Sequence, residues 1–258
     1  MLLVLKYGGN AMTAAAHDDP LLDEITARVA SGDRVVLVHG GGPQIDAALR
    51  ERRIESQRVA GLRVTDTATL GVTESVLCGT INKALVRALL ARGVAAAGIS
   101  GQDGALLIAT SAAPVAGTSL GFVGDVETVR PAILTALLEA GFVPVVAPVG
   151  VTGDGHTALN INADTAAGAI AGALKADAYV VVTDVARVRR AIDDPHSGIA
   201  ELTAHESQAL LDDGTFSGGM RPKIRSALAA LASGARTAIV ADSLAHALAG
   251  DGTTIVSG

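Results

Sequence analysis

The chain has 258 residues, of which 49% are apolar, and 20 basic against 26 acidic side chains give a formal charge of −6. A charged fraction of 18% beside that apolar content excludes a disordered chain, and net acidity with only 2% aromatics argues against nucleic-acid binding. No apolar run reaches the roughly 18 residues of a membrane span, the start MLLVLKYGG has no signal-peptide pattern, and the single cysteine, Cys78, rules out a disulfide framework or a multi-cysteine zinc site; the expectation is a cytoplasmic protein acting on small molecules, with no membrane partner.

In chain order, the runs 2–7, 35–39, 94–99, 142–148, 179–184 and 237–242 read as strands. Their unbroken apolar character is that of parallel strands covered on both faces. Helical stretches are expected near 20–31, 43–52, 66–91, 130–140, 163–174, 203–212 and 219–233, with Asn162 or Asp164 as a cap for the fifth. Such alternation predicts an α/β fold with a mainly parallel sheet. Residues 105–126 and 147–161, rich in Gly, Thr and Pro, read as hairpins appended to that sheet, and 185–198 as a charged loop. A boundary near 173–178 predicts two lobes, 1–173 and 174–258.

Ligands of open α/β sheets sit beyond the carboxyl ends of strands. The first two strands end in glycine turns, Lys6-Tyr7-Gly8-Gly9 and His39-Gly40-Gly41-Gly42. Glycine runs let backbone N–H groups converge on an anion, although tight turns use them as often. No Gly-Lys pair exists, so a Walker loop is absent, as are the HRD, DFG, G-x-S-x-G and H-E-x-x-H patterns. Only four of the basic residues are lysines, at 6, 83, 175 and 223. Lys223, in SGGMRPK, sits near a helix start, where a cation opposes the helix dipole. Arg63, in GLRVTD, precedes another helix and suits a bidentate carboxylate grip as well as an ordinary surface role. Asn160-Ile161-Asn162-Ala163-Asp164 carries more polar groups than one helix cap needs.

Taken together, KYGGNAM, HGGGPQI, GLRVTD, GISGQDG, LGFVGDV, GFVPVVAPVG, NINADTAAG, VTDVARV, GGMRPK and GTTIVSG resemble the amino acid kinase family along the whole chain, and within it the members acting on N-acetyl-L-glutamate. The resemblance implies an open αβα sandwich, with an amino-terminal lobe (1–173) for the acyl acceptor and dimerisation and a carboxy-terminal lobe (174–258) for ATP. It implies transfer of the γ-phosphoryl of ATP to the acceptor's side-chain carboxylate, a step of arginine synthesis. By the same resemblance Lys6 and Lys223 are the catalytic cations and Asp164 orients them. Gly41, Gly42, Arg63 and Asn160 bind the acceptor, with Arg63 on its α-carboxylate. Gly9, Gly41, the segment Asp184, Val185, Ala186, Arg187, Val188, Arg189, and the stretch Thr215, Phe216, Ser217 bind the phosphoryl group and nucleotide. Mg²⁺ rides on the phosphates without a dedicated protein site. Ala186-Arg187 replaces the Pro-Gly usual in relatives, which puts the shape of that loop in question. A first strand at Leu2 leaves no room for the helix of arginine-inhibited members, so a homodimer without arginine feedback is expected. Two alternatives stay open: a kinase of carrier-borne aminoadipate or glutamate, and a non-catalytic amino-acid sensor.

Overall fold

A computed structural model describes residues 1–8, 18–191 and 193–258; Gly9, expected at the phosphoryl site, lies outside them. The chain runs β1 (Leu2–Tyr7), α1 (Pro20–Ala30), β2 (Arg34–His39), α2 (Gly42–Glu51), a hairpin of β3 (Arg58–Val59) and β4 (Leu62–Arg63), α3 (Thr67–Glu74), a π-helical stretch Ser75–Ile81, α4 (Asn82–Ala91) and β5 (Ala96–Ser100). It continues through β6 (Leu107–Ser111), β7 (Val123–Val129), α5 (Ala132–Glu139), β8 (Val143–Ala147), β9 (Val149–Val151), β10 (Ala158–Ile161) and α6 (Ala163–Ala173). Last come β11 (Ala178–Val182), β12 (Glu201–Thr203), α7 (Ala204–Asp212), α8 (Met220–Ala232), β13 (Ala238–Ala241), α9 (Leu244–Ala249) and β14 (Thr253–Val256).

The six apolar runs read from the sequence all enter one sheet, ordered β12-β14-β13-β11-β1-β2-β8-β5. From β13 to β5 every pairing is parallel, whereas β14 runs antiparallel to β13. Successive residues of β1 serve different cores: Leu3, Leu5 and Tyr7 pack with α1 and α4, and Leu2 and Val4 with α6 and α8. That two-sided burial is why the runs are apolar throughout rather than alternating. Lys6 follows the parity of Val4, which turns its side chain towards α6 and α8.

The segments read as appended hairpins are instead a closed four-stranded barrel, β10-β7-β6-β9. Closure depends on glycines where strands approach: a Cβ on Gly124 would lie 2.7 Å from Leu159 Cβ, and one on Gly150 2.6 Å from Ile161 Cδ1. The barrel delivers the chain from Ile161 directly into α6. The helix expected over 66–91 is interrupted by the seven-residue π stretch, a geometry often found at functional sites. Among the described residues no helix is long and apolar enough to cross a membrane.

Helices α6 and α8 touch backbone to backbone. A Cβ on Gly168 would lie 2.6 Å from Ser226 O, and one on Gly172 2.3 Å from Ser233 Cβ. Gly168→Ala should therefore push α8 away and cost about 1–3 kcal/mol, the usual range for overpacking. Denaturant unfolding measures this; a variant as stable as the parent would show that the two helices slide freely.

Candidate active site

β1 and β2 pair in register, Tyr7 opposite His39, so Gly8 and Gly40, which follow, lie side by side. Gly40 N donates to Tyr7 O at 2.7 Å, and a Cβ on Gly8 would meet Gly40 N at 3.0 Å. A side chain at position 8 would crowd the backbone of the second turn. Across the turns sits the start of α6, where Asn162 caps the helix by accepting from Asp164 N at 2.9 Å and Thr165 N at 3.2 Å. The three polar residues of NINAD thus divide their duties. Asn162 caps, Asn160 lines a cleft and donates to Thr65 Oγ1 at 3.3 Å, and Asp164 points at two lysines.

Those lysines are Lys6 and Lys223. Their Nζ atoms lie 3.2 and 3.4 Å from the same oxygen, Asp164 Oδ1. Lys6 and Asp164 are buried. Burial pulls the Lys6 pKa below the ordinary lysine value; the Asp164 charge opposes that shift and the Lys223 charge adds to it. Beneath the cluster, the buried Tyr179 hydroxyl donates to Asp164 O at 3.2 Å and lies 3.1 Å from Ser226 Oγ, which donates to Lys223 O at 2.8 Å. One phenol therefore braces the backbones carrying two of the three charged groups. Burial, followed by the Asp164 charge, raises its pKa well above the usual phenol range, so it stays protonated as a donor. Nothing in YVVVTD marked this role except that the chain has only two tyrosines.

Two clefts meet at the cluster. The larger, about 420 Å³, is lined by Gly8, Asp184, Arg187, Ser217 and Lys223 among others. The smaller, about 190 Å³, is lined by Lys6, Gly41, Gly42, Arg63, Asn160 and Asp164 among others. Of the residues expected on the nucleotide, Asp184, Val185, Arg187, Arg189, Thr215, Phe216 and Ser217 line the larger cleft, joined by Gly8, Thr183 and the Gly218–Met220 turn, which the sequence reading had not assigned. Two of the expected residues do not line it. Val188 turns into the core, 1% exposed, while its N–H donates to Thr253 Oγ1 at 2.9 Å; Ala186 is exposed and does not line the cleft. The loop is nevertheless anchored where Pro-Gly was expected, because Arg187 donates to Asp251 O at 3.0 Å and Gly250 O at 3.3 Å at the end of α9.

In the smaller cleft the buried Arg63 donates from Nη1 to Asp46 Oδ1 at 2.6 Å and Ser56 Oγ at 2.7 Å, and from Nη2 to Gly42 O at 3.3 Å. Asp46, which sequence reasoning missed, is pushed up by burial but held below the usual carboxylate range by Arg63 and then Arg58. A Cβ on Gly41 would lie 2.3 Å from Ile81 Cδ1 and 2.9 Å from Leu77 Cδ2, so the π stretch packs onto this turn.

The chain belongs to the amino acid kinase family. Residues 1–242 match it, and this is a phosphotransferase family. An acetylglutamate kinase of Symbiobacterium thermophilum is 44% identical over 95% of this chain and 86% of its own. One from Methanopyrus kandleri is 43% identical, covering 98% and 99% of the two chains. Among solved structures, a protein of Streptococcus mutans superposes with a TM-score of 0.84 at 28% identity, covering 100% of this chain and 99% of its own. The α/β architecture is that of the amino acid kinases, with its parallel sheet flanked by helices.

Behind the family's second glycine turn lies a buried polar network. His39 Nδ1 lies 2.9 Å from Gly40 O and so carries the proton, leaving Nε2 to accept from Asn82 Nδ2 at 3.3 Å. Asn82 also donates to Val145 O at 2.8 Å and accepts from Lys83 Nζ at 3.0 Å. Burial pushes His39 down from 6.5 to about 4. Above about pH 6.5 the imidazole is neutral whether the chain is folded or not. Below it, the unfolded chain takes up a proton that folded His39 refuses until about pH 4, so stability falls as pH falls, by up to about 3 kcal/mol from this group. Denaturant unfolding of His39→Gln should show a shallower loss across that window; parallel curves would exclude His39 as the source.

Proposed function

We propose that this chain transfers the γ-phosphoryl group of ATP to the side-chain carboxylate of N-acetyl-L-glutamate, yielding the acyl phosphate used in arginine synthesis. The observation that carries the reading is the meeting of the two clefts at Lys6, Asp164 and Lys223. The names and identities of the relatives give the acceptor.

A glutamate side chain has a pKa of about 4.3 and is ionised at neutral pH, so no base is needed to make the nucleophile. Its oxygen forms the new bond to phosphorus as the bond to the ADP oxygen breaks, and ADP leaves with that electron pair. The barrier is electrostatic, because an anion approaches a polyanion and charge spreads over the equatorial oxygens in transit. Lys6, on the acceptor side, and Lys223, on the nucleotide side, offset that charge. Asp164 keeps the two cations close without mutual repulsion. The turns at Gly8 and Gly40–Gly42 offer backbone donors beside the crossing point. Arg63 and Asn160 hold the acceptor, and the 184–189 and 215–217 loops hold the nucleotide. Mg²⁺ would be carried on the nucleotide phosphates. In this reading residues 1–173 serve the acceptor and 174–258 the nucleotide, and the chain works in the cytoplasm as a homodimer, as the family resemblance implies for the dimer.

The test is ATP consumption with Mg²⁺ and N-acetyl-L-glutamate, glutamate, N-acetylaspartate or aminoadipate as acceptor, with hydroxylamine trapping the acyl phosphate. Hydroxamate is expected from N-acetyl-L-glutamate. Its absence with every free acceptor would sink the reading, in favour of a carrier-borne substrate, or of a sensor if ligand still bound.

A further inference from the structure

A second cation–carboxylate–cation group stands beside the acceptor cleft, which its two cations, Arg58 and Arg63, line. Asp46 receives Arg63 Nη1 on Oδ1 at 2.6 Å and Arg58 Nη2 on Oδ2 at 3.1 Å. Arg58 and Arg63 stand directly opposite each other in the β3–β4 hairpin, so both side chains leave the same face. Like charges in that position destabilise a strand pair. Asp46 offsets one of the two charges, and one positive charge remains. The lysine group at the junction of the two clefts repeats this arithmetic, with two cations around Asp164. The cleft is lined by both arginines and by Lys6 and Asp164, while Lys223 faces the neighbouring cleft; each cation pair keeps one positive charge beyond its shared carboxylate.

The two arginines are not equivalent. Arg63 is 5% exposed and committed to Asp46, Ser56 and Gly42, whereas Arg58 is 45% exposed and bonded only weakly besides Asp46, to Gly61 O at 3.2 Å. Its Nη2 lies 3.9 Å from where a Cβ on Gly42 would stand, against the glycine turn that forms the cleft wall.

We propose that Arg58 is a second specificity-determining residue, which together with Arg63 binds the α-carboxylate and makes this site select acceptors with two carboxylates. The inference rests on the acceptor reading above and deepens it. Arg63 holds Asp46 in place as a fixed anchor. Arg58, reaching in from the solvent side of the hairpin, transfers part of its hydrogen bonding from Asp46 to the incoming carboxylate.

The experiment compares N-acetyl-L-glutamate with 4-acetamidobutyrate, the same molecule with hydrogen in place of the α-carboxylate. Dissociation constants are measured by calorimetry for the full chain and for Arg58→Met, which keeps the apolar stem but removes the charge. In Arg58→Met the preference for the dicarboxylate should fall about tenfold, the scale of one charge-assisted hydrogen bond, and Arg58→Lys should recover part of it. An unchanged ratio, whether both ligands weaken equally or neither does, would reduce Arg58 to a hairpin strut and overturn the proposal. So would a parent chain that binds the two ligands equally, or binds neither. The calorimetry is done without ATP, so a chain that binds N-acetyl-L-glutamate selectively but makes no acyl phosphate would sink the kinase reading and leave that of Arg58 standing.

Discussion

Lys6→Ala and Lys223→Ala should each lower turnover by about 10²–10³, the loss measured when one donor to a developing oxyanion is removed, with a much smaller change in acceptor affinity. The split follows from position. Both amines converge on Asp164 at the junction of the clefts, where the charge in transit is greatest, while acceptor binding is assigned to Arg63 and Asn160. Steady-state kinetics with the hydroxamate readout checks it. A double variant no worse than either single one would show the lysines acting as a unit, which their shared carboxylate oxygen anticipates. Near-normal turnover in both single variants would remove the lysines from the chemistry.

Asp164→Asn should be nearly as damaging and should carry a pH signature. The substitution preserves shape while deleting the charge that opposes the depression of the Lys6 pKa; burial and the Lys223 charge, both lowering it, remain. Lys6 then loses its proton at lower pH. Since the amine acts as a cation, activity disappears as pH rises through that pKa. The alkaline limb of kcat/KM, which reports the free enzyme, should lie below the ordinary lysine range in the parent and move lower still in the variant. A limb that stays in place would mean that Asp164 does not control the charge of Lys6.

The sheet was legible in the sequence because its strands are buried on both faces, and a run such as LLVLKY or YVVVTD then has no polar positions to blur it. The barrel was less legible. Its strands are three to seven residues long, too short for a periodicity to build up, and β7 and β9 carry glycines where strands approach one another. β12, β14 and α9 were missed for the same reason of length. In the site, charged residues beside glycine turns stood out, and Lys6, Asp164, Lys223, Arg63 and Asn160 all lie around the joined clefts. Contacts made across the fold did not. Asp46 is an ordinary helix residue until β4 brings Arg63 against it, and Tyr179 is an ordinary strand residue until α6 and α8 close over it. Val188 shows the reverse, since a loop matched as a unit still alternates between cleft and core.

The order of strands also sets a timetable for synthesis. β1 lies between β2 and β11, and its register with β11 pairs Leu3 with Ala178 and Lys6 with Val181. At about 5–20 residues per second, roughly 10–35 s pass between translation of the first strand and of its second neighbour. During that interval β1 offers an open edge of hydrogen-bonding groups, apolar on both faces, which is a template for pairing with other chains. A ribosome stalled or a message truncated before codon 178 would release a polypeptide holding both glycine turns and Asp164 yet unable to close its own sheet, and such fragments should be found with chaperones or in aggregates rather than as a half-enzyme.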